Sequence, residues 1–244
     1  MTGTAGRTDD TDYFSNHARA RRFPWSLYHA PLERNLSTFL RTVANEHPTG
    51  HVLVVGCGLL HEIDSAPKNL TFSVADIDAR AVEAVMARHD PRIVAGHVVP
   101  AEVPLDQGLA TARAMPQEQA SARSFHDWPG GGKRGKYAAI YAKEVVEHVV
   151  AWPMWLVGLR RALLPGGRVW LSTPNYGEPW LPAVESTALE LIARRDGFSR
   201  RDIHPTRFSA AALQRGLHAA GFEDVKTHVV LPRFAIAGWA KAPS

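Results

Sequence analysis

The sequence predicts an α/β protein built on a doubly wound, seven-stranded, mostly parallel sheet with an antiparallel last strand. Three observations predict it. A buried strand, His51-Val52-Leu53-Val54-Val55, runs straight into Gly56-Cys57-Gly58. Apolar strands then alternate with stretches of helical spacing along the chain. Two final apolar runs, near Val225–Leu231 and Phe234–Ala240, are split only by Pro232-Arg233, close enough to form a hairpin that reverses the last strand.

At 244 residues, with 45% hydrophobic and 21% charged residues, the chain suits one large domain or a domain with a small appendage. Residues 1–12 are polar and are expected to form a disordered tail rather than a signal peptide. The longest apolar stretch, Val149–Leu159, contains Pro153 and is too short for a bilayer span, which needs about 20 residues. No membrane contact is expected. The single cysteine, Cys57, excludes an internal disulfide and a multi-cysteine zinc site, and a cytoplasmic setting follows as the expectation. A net charge of +4 is compatible with an anionic small-molecule partner. The basic clusters are scattered and lack aromatic interleaving, so nucleic acid is not the expected partner.

Taken in order, residues 13–48 form a helical arm ahead of the core, placed where it can act as a lid. Its helix is expected from Pro31 to about Glu46, with Leu32, Leu36, Phe39, Leu40 and Val43 on one face. The core, 49–244, starts with the strand at His51 and a short helix after Gly58. A second strand, about Thr71–Ala75, ends at Asp76, eighteen residues beyond Gly58. A helix from Ala79 to about His89 follows. Residues 90–122 carry four prolines and no sustained period, and read as an insertion. The third strand is expected at Ser124–Pro129, ending in the acid Asp127, and the fourth at Tyr137–Ala142. Helical spacing of Trp152, Trp155, Leu156, Leu159 and Leu163 marks the next helix, closed by Leu164-Pro165-Gly166-Gly167 before a strand at Arg168–Ser172. A helix around Val184–Ile192, a basic loop 194–207 with His204, and a helix capped by Ser209 and stopped by Gly221 complete the chain before the hairpin.

In this order, Val52–Gly58, Asp76, Glu144-Val145-Val146-Glu147-His148-Val149, Leu163–Gly167 and Leu171-Ser172-Thr173-Pro174-Asn175 resemble a class I S-adenosylmethionine-dependent methyltransferase. The motifs are most similar to the branch holding the ubiquinone-biosynthesis O-methyltransferases. The resemblance covers about residues 50–240 outside the insertion. It implies S-adenosyl-L-methionine as cofactor, with Gly56, Cys57 and Gly58 against its methionine part and Asp76 on the ribose hydroxyls. Ile77 would pack on adenine, Asp127 and Trp128 would meet its amino group and ring, and Lys143 and Glu144 would lie below the sulfonium. Leu60 departs from the family, which often has glycine there. The dinucleotide fingerprint Gly-x-Gly-x-x-Gly fails at His61, which argues against NAD.

Methyl transfer from a sulfonium is an in-line displacement governed mainly by positioning and desolvation. A hydroxyl acceptor benefits from a base, and His148, His204, Glu144 and Tyr176 stand near the strand ends. The expected activity is therefore methyl transfer to a small-molecule acceptor, through oxygen. Glu144, Glu147 and His148 also resemble a divalent-metal set, with His204 as a fourth ligand if the acceptor were an RNA 2′-hydroxyl. A structural role for these residues is the favoured reading. The remaining alternative is a methyltransferase-like domain that binds a partner without catalysis.

Overall fold

A computed structural model describes residues 26–100, 105–111, 114–116, 136–178, 205–230 and 232–244. In chain order these form α1 (Ser26–Glu46), β1 (His51–Val55), β2 (Thr71–Asp76), α2 (Ala79–Met86), β3 (Ile93–Val98), α3 (Leu105–Thr111), β4 (Ala114–Pro116) and β5 (Tyr137–Lys143). After them come α4 (Trp152–Ala162), β6 (Leu163–Pro174), α5 (Ala210–Ala219), β7 (Glu223–Val230) and β8 (Ala235–Lys241). The strands make one sheet in the order β4-β3-β2-β1-β5-β6-β8-β7. β3, β2, β1, β5 and β6 run parallel, while β8 is antiparallel to both β6 and β7. The seven-strand sheet with a reversed last strand is the predicted one. The eighth strand, β4, is a three-residue edge antiparallel to β3.

The sheet is covered on both faces, and its alternating side chains sort into two cores. One contains Val52, Val54, Phe72, Val74 and Tyr141 under α1 and α2, which contribute Leu36, Phe39, Val43, Val82 and Val85. The other contains Leu53, Ile140, Val169, Leu171 and Ile236 under α4 and α5, which contribute Leu156, Leu159, Leu213 and Leu217. All five residues of β1 are buried, which is why its sequence reads as a continuous apolar run rather than an alternation. The strand order turns back on itself between β1 and β5. A crevice outside the carboxyl ends of those strands is where such sheets take ligands.

The third strand is a correction. Ile93–Val98 pairs in parallel with β2, so the stretch expected to be an insertion supplies a structural strand of the sheet. The flanking prolines and the short, glycine-interrupted run hid it, although Ile93, Val94 and Val98 carry the β-branched signal. The strand expected at 124–129, with Asp127 and Trp128, lies outside the described residues. So do the tail 1–12, residues 13–25 of the arm, the helix around 184–192 and His204.

Smaller differences have local causes. α1 begins at Ser26, and Pro31 sits inside it rather than in its first turn. The proline lacks the amide that would donate to the Leu27 carbonyl, so the helix gives up one intrahelical hydrogen bond close to its start. After Gly58 the chain makes a 3₁₀ turn, His61–Ser65. β6 absorbs Leu164-Pro165-Gly166-Gly167 as an irregularity in its pairing with β5, Gly166 having φ +71°. The cap of α5 is as expected: the Ser209 side chain accepts the Ala212 amide at 3.2 Å, and Gly221 follows the helix at φ +83°.

Candidate active site

The site is built where β1, β2 and β5 end. Val55 leads into Gly56, whose φ of +67° is left-handed and whose missing Cβ leaves room for Val145. A Cβ there would stand 2.3 Å from the valine Cγ2. The glycine is thus required by the β5 end packed against the turn, as well as by its own backbone. Cys57 is buried, and burial together with the nearby Asp76 pushes its thiol well above the usual range, so it serves as a small apolar residue in the turn. Gly58, at φ +47°, donates its amide to Asp76 Oδ2 at 3.2 Å.

Asp76 is half-buried at the last position of β2. Its second oxygen, Oδ1, accepts the Asp78 amide at 3.0 Å. Two backbone donors therefore hold the carboxylate in one orientation. Ile77, the next residue, is 69% exposed, one of the large apolar side chains left in solvent among the described residues. A carboxylate fixed by two backbone amides beside an uncovered aliphatic surface is suited to a sugar diol with an attached flat ring.

Across the crevice, Lys143 ends β5. Its ammonium lies 3.1 Å from Glu62 Oε2 and 3.8 Å from Glu33 Oε1, so it links the 3₁₀ turn to α1. Glu62 is 6% exposed; burial acts to raise its pKa, but the Lys143 charge, a backbone hydrogen bond and the Lys143 hydrogen bond hold it below the usual carboxylate range. Glu144 follows at φ +58°, a backbone region that costs a non-glycine residue about 1–2 kcal/mol. Ser172 compensates it. Its hydroxyl accepts the Glu144 amide at 3.2 Å and donates to Glu144 Oε1 at 2.9 Å. The other carboxylate oxygen, Oε2, accepts the phenol of Tyr28 from α1.

The chain then turns through a 3₁₀ segment, Val146–His148. Glu147 points into the interior and is buried, whereas His148 is half-exposed. Glu144, turned toward Tyr28 and Ser172, does not converge with them, and among the described residues no group of three His, Cys, Asp or Glu side chains could hold a metal. Thr206 returns the chain to this turn: its amide donates to the Glu147 carbonyl at 3.2 Å and its hydroxyl to that of Val149 at 3.3 Å. Beyond β6, the Asn175 side chain accepts the Gly177 amide and donates to the Arg233 carbonyl, and Arg207 stacks on the Tyr176 ring.

The neighbouring ends of β1, β2 and β5 thus carry Gly56, Cys57, Gly58, Asp76, Ile77, Lys143 and Glu144, while His148 lies on the 3₁₀ segment after β5 and Tyr176 follows β6. Sequence reasoning missed Glu62, Ser172 and Val145. Glu62 carries a signal in hindsight, a carboxylate straight after the glycine turn, but nothing local shows that its partner is 81 positions away.

Comparison with known proteins agrees with this architecture. Residues 25–227 match the family described as Methyltransferase domain. No match is found among curated protein sequences. The fold is similar to the solved complex of the Haloferax volcanii Trm112 methyltransferase activator with a methyltransferase, at TM-score 0.63 and 12% identity over 99% of this chain and 100% of that one. It is also similar to the Burkholderia thailandensis 1,6-didemethyltoxoflavin-N1-methyltransferase, solved with bound 1,6-didemethyltoxoflavin and S-adenosylhomocysteine, at TM-score 0.55 and 11% identity over 100% and 94% of the two chains. A third is the Haemonchus contortus phosphoethanolamine N-methyltransferase 2 in complex with S-adenosyl-L-methionine, at TM-score 0.55 and 10% identity over 93% and 60%. At these identities the solved structures speak for the fold, while the family match spans most of the sequence. The chain belongs to the methyltransferase-domain family, on the fold of the class I S-adenosylmethionine-dependent methyltransferases.

Proposed function

We propose that this protein uses S-adenosyl-L-methionine to methylate an oxygen nucleophile on a small-molecule acceptor. The observation that carries the cofactor half is Asp76. Its carboxylate is held by the amides of Gly58 and Asp78 at the end of β2, with exposed Ile77 beside it. In this reading Asp76 accepts the ribose hydroxyls and Ile77 packs on adenine, with Asp127 and Trp128 assigned to the far side of that ring. Gly56, Cys57 and Gly58 border the methionine part, and Lys143 and Glu144 close the crevice beneath the sulfonium. When bound, this cofactor supplies a methyl group already attached to a good leaving group. The protein's share of the chemistry is then to align the acceptor, exclude water and receive a proton.

His148 is the proposed base, because it lies on the turn that follows β5 and is half-exposed. His204 is its proposed companion. Support comes from Thr206, which ties the chain two residues beyond His204 to the carbonyls on either side of His148. Lys143 is engaged by Glu62 and Glu33, so the strand ends themselves do not favour an anionic acceptor.

Calorimetry tests the cofactor half. Wild-type protein should bind S-adenosylmethionine, and Asp76→Ala should weaken it about 10- to 100-fold, the equivalent of hydrogen bonds to a charged group. Equal affinity in both proteins would remove Asp76 from the site, and no binding to either would remove the cofactor. Screening of phenols and catechols as acceptors, with His148→Ala as control, tests the other half. Methyl transfer confined to amines, or unchanged by His148→Ala, would refute the acceptor or the base.

A further inference from the structure

α1 is a wall of the protein and not a free arm. From Leu32 onward its apolar face is fully buried, and its polar residues are tied to the sheet. Asn35 meets Trp170, Trp239 and His228, and Glu46 pairs with Arg168 at 2.5 Å. Its first turn extends beyond this anchored part and crosses to the end of β5. There the Tyr28 phenol donates to Glu144. The ring itself is bordered by His29, at 5.0 Å and nearly perpendicular, and by Phe234 at 6.4 Å.

Glu144 is an unusual place for such a contact. It sits at positive φ directly after β5, held by Ser172, and the next residue packs against the Gly56 turn. A carboxylate in a strained backbone, fixed from one side by a buried serine, has its other oxygen held by a residue 116 positions away. Resting on the cofactor reading above, we infer that Tyr28 is a positioning residue. Acting through Glu144, it latches the first turn of α1 across the crevice, so that the cofactor is retained between α1 and the Gly56–Gly58 turn.

The latch differs from simple packing because a phenylalanine keeps the ring and loses only the hydroxyl. The test measures S-adenosylhomocysteine dissociation by stopped-flow displacement in wild type, Tyr28→Phe, Glu144→Ala and the double variant. Hydrogen exchange of α1 is followed alongside, without ligand. Tyr28→Phe should speed dissociation about tenfold, as loss of a hydrogen bond to a charged group implies, and should speed exchange at residues 30–34 while leaving 36–43 unchanged. In the Glu144→Ala background the same substitution should change both rates clearly less, since the Glu144 acceptor is gone. Dissociation unmoved by Tyr28→Phe, or moved equally in both backgrounds, overturns the latch while leaving the cofactor reading intact. Failure of the wild type to bind S-adenosylhomocysteine overturns both, and is recognised by calorimetry before any variant is made.

Discussion

Leu60 shows how one backbone angle can be half-read from the sequence. It stands where related turns often carry glycine, and its backbone is left-handed, φ 49° and ψ 45°, as a glycine's would be. Yet the side chain is 1% exposed and belongs to the core beneath α1, and its carbonyl accepts from Arg88 at 2.9 Å. Burial of a leucine, about 1.5–3 kcal/mol, outweighs a left-handed penalty of about 1–2 kcal/mol. The turn is thus preserved by packing instead of by conformational freedom. Leu60→Ala should therefore cost about 2–5 kcal/mol, while Leu60→Gly should be about 1 kcal/mol less harmful, because glycine restores the angle that alanine still strains. At Leu36, inside α1, the order should reverse, since glycine in a helix costs about 1 kcal/mol more than alanine. Urea midpoints for the four variants decide it, and alanine outlasting glycine at position 60 would contradict the account. The other turn residues were legible for simpler reasons: Gly56, Gly58 and Asp76 are read by position within a strand–turn–strand pattern. Glu62 and Ser172 were not, because their partners are set by the sheet order and by no local spacing.

Among the elements, α1 was legible in its apolar face and illegible in its polar one. The buried row Leu32, Leu36, Phe39, Leu40 and Val43 follows from helical period alone. Asn35 lies off that row and still joins three strands. Its Oδ1 accepts the indole N–H of Trp170 at 2.8 Å and of Trp239 at 3.1 Å. Indoles only donate, so the oxygen is committed to them and the amide nitrogen faces His228 Nε2 at 2.7 Å as a donor. His228 must accept there, which requires a neutral ring with its proton on Nδ1. Burial lowers the pKa of this histidine in the same direction. Asn35→Asp inverts the requirement: the carboxylate still accepts from both indoles but can face His228 only if that ring carries a proton. The pKa of His228, followed by NMR of its imidazole, should lie below 6.5 in the wild type and rise above it in Asn35→Asp. A pKa that stays low in the variant would mean that Asn35 does not set the protonation state. The strand β3 was missed for a related reason: a short edge-proximal strand between prolines offers little period to read, and its membership in the sheet rests on pairing with β2.

For the whole molecule, the double winding of the sheet has a cost on the face covered by α4 and α5. His51, at the start of β1, is turned to that face by strand alternation, with Nε2 2.8 Å from Ser73 Oγ and its ring 5.2 Å from Tyr137. His97 on β3 is buried nearby, and neither ring nitrogen is hydrogen-bonded to any of the described residues. Burial first, and the proximity of His97 second, lower the pKa of His51 to about 4; burial and then the charge of Lys136 lower that of His97. Both rings are therefore neutral in the folded protein at pH values where an unfolded histidine, with a pKa of about 6.5, is already protonated. The folded pKa is the lower one, so the associated stability is complete above pH 6.5. It is lost as pH falls from about 6.5 toward 4, where the unfolded chain gains protons that the folded chain refuses. For His51 alone, 2.5 pH units amount to about 3 kcal/mol across that window, of which about 2 kcal/mol is spent by pH 5. That is a large share of the 5–15 kcal/mol typical of a domain. Urea unfolding at pH 7.5 and pH 5 should show the wild type losing at least this much, and His51→Gln, which keeps a polar group near Ser73 but cannot titrate, losing about 2 kcal/mol less between the two conditions. Parallel losses in the two proteins would show that His51 is protonated in the fold, and that the polar strip across β1, β2 and β3 is wetter than its burial implies.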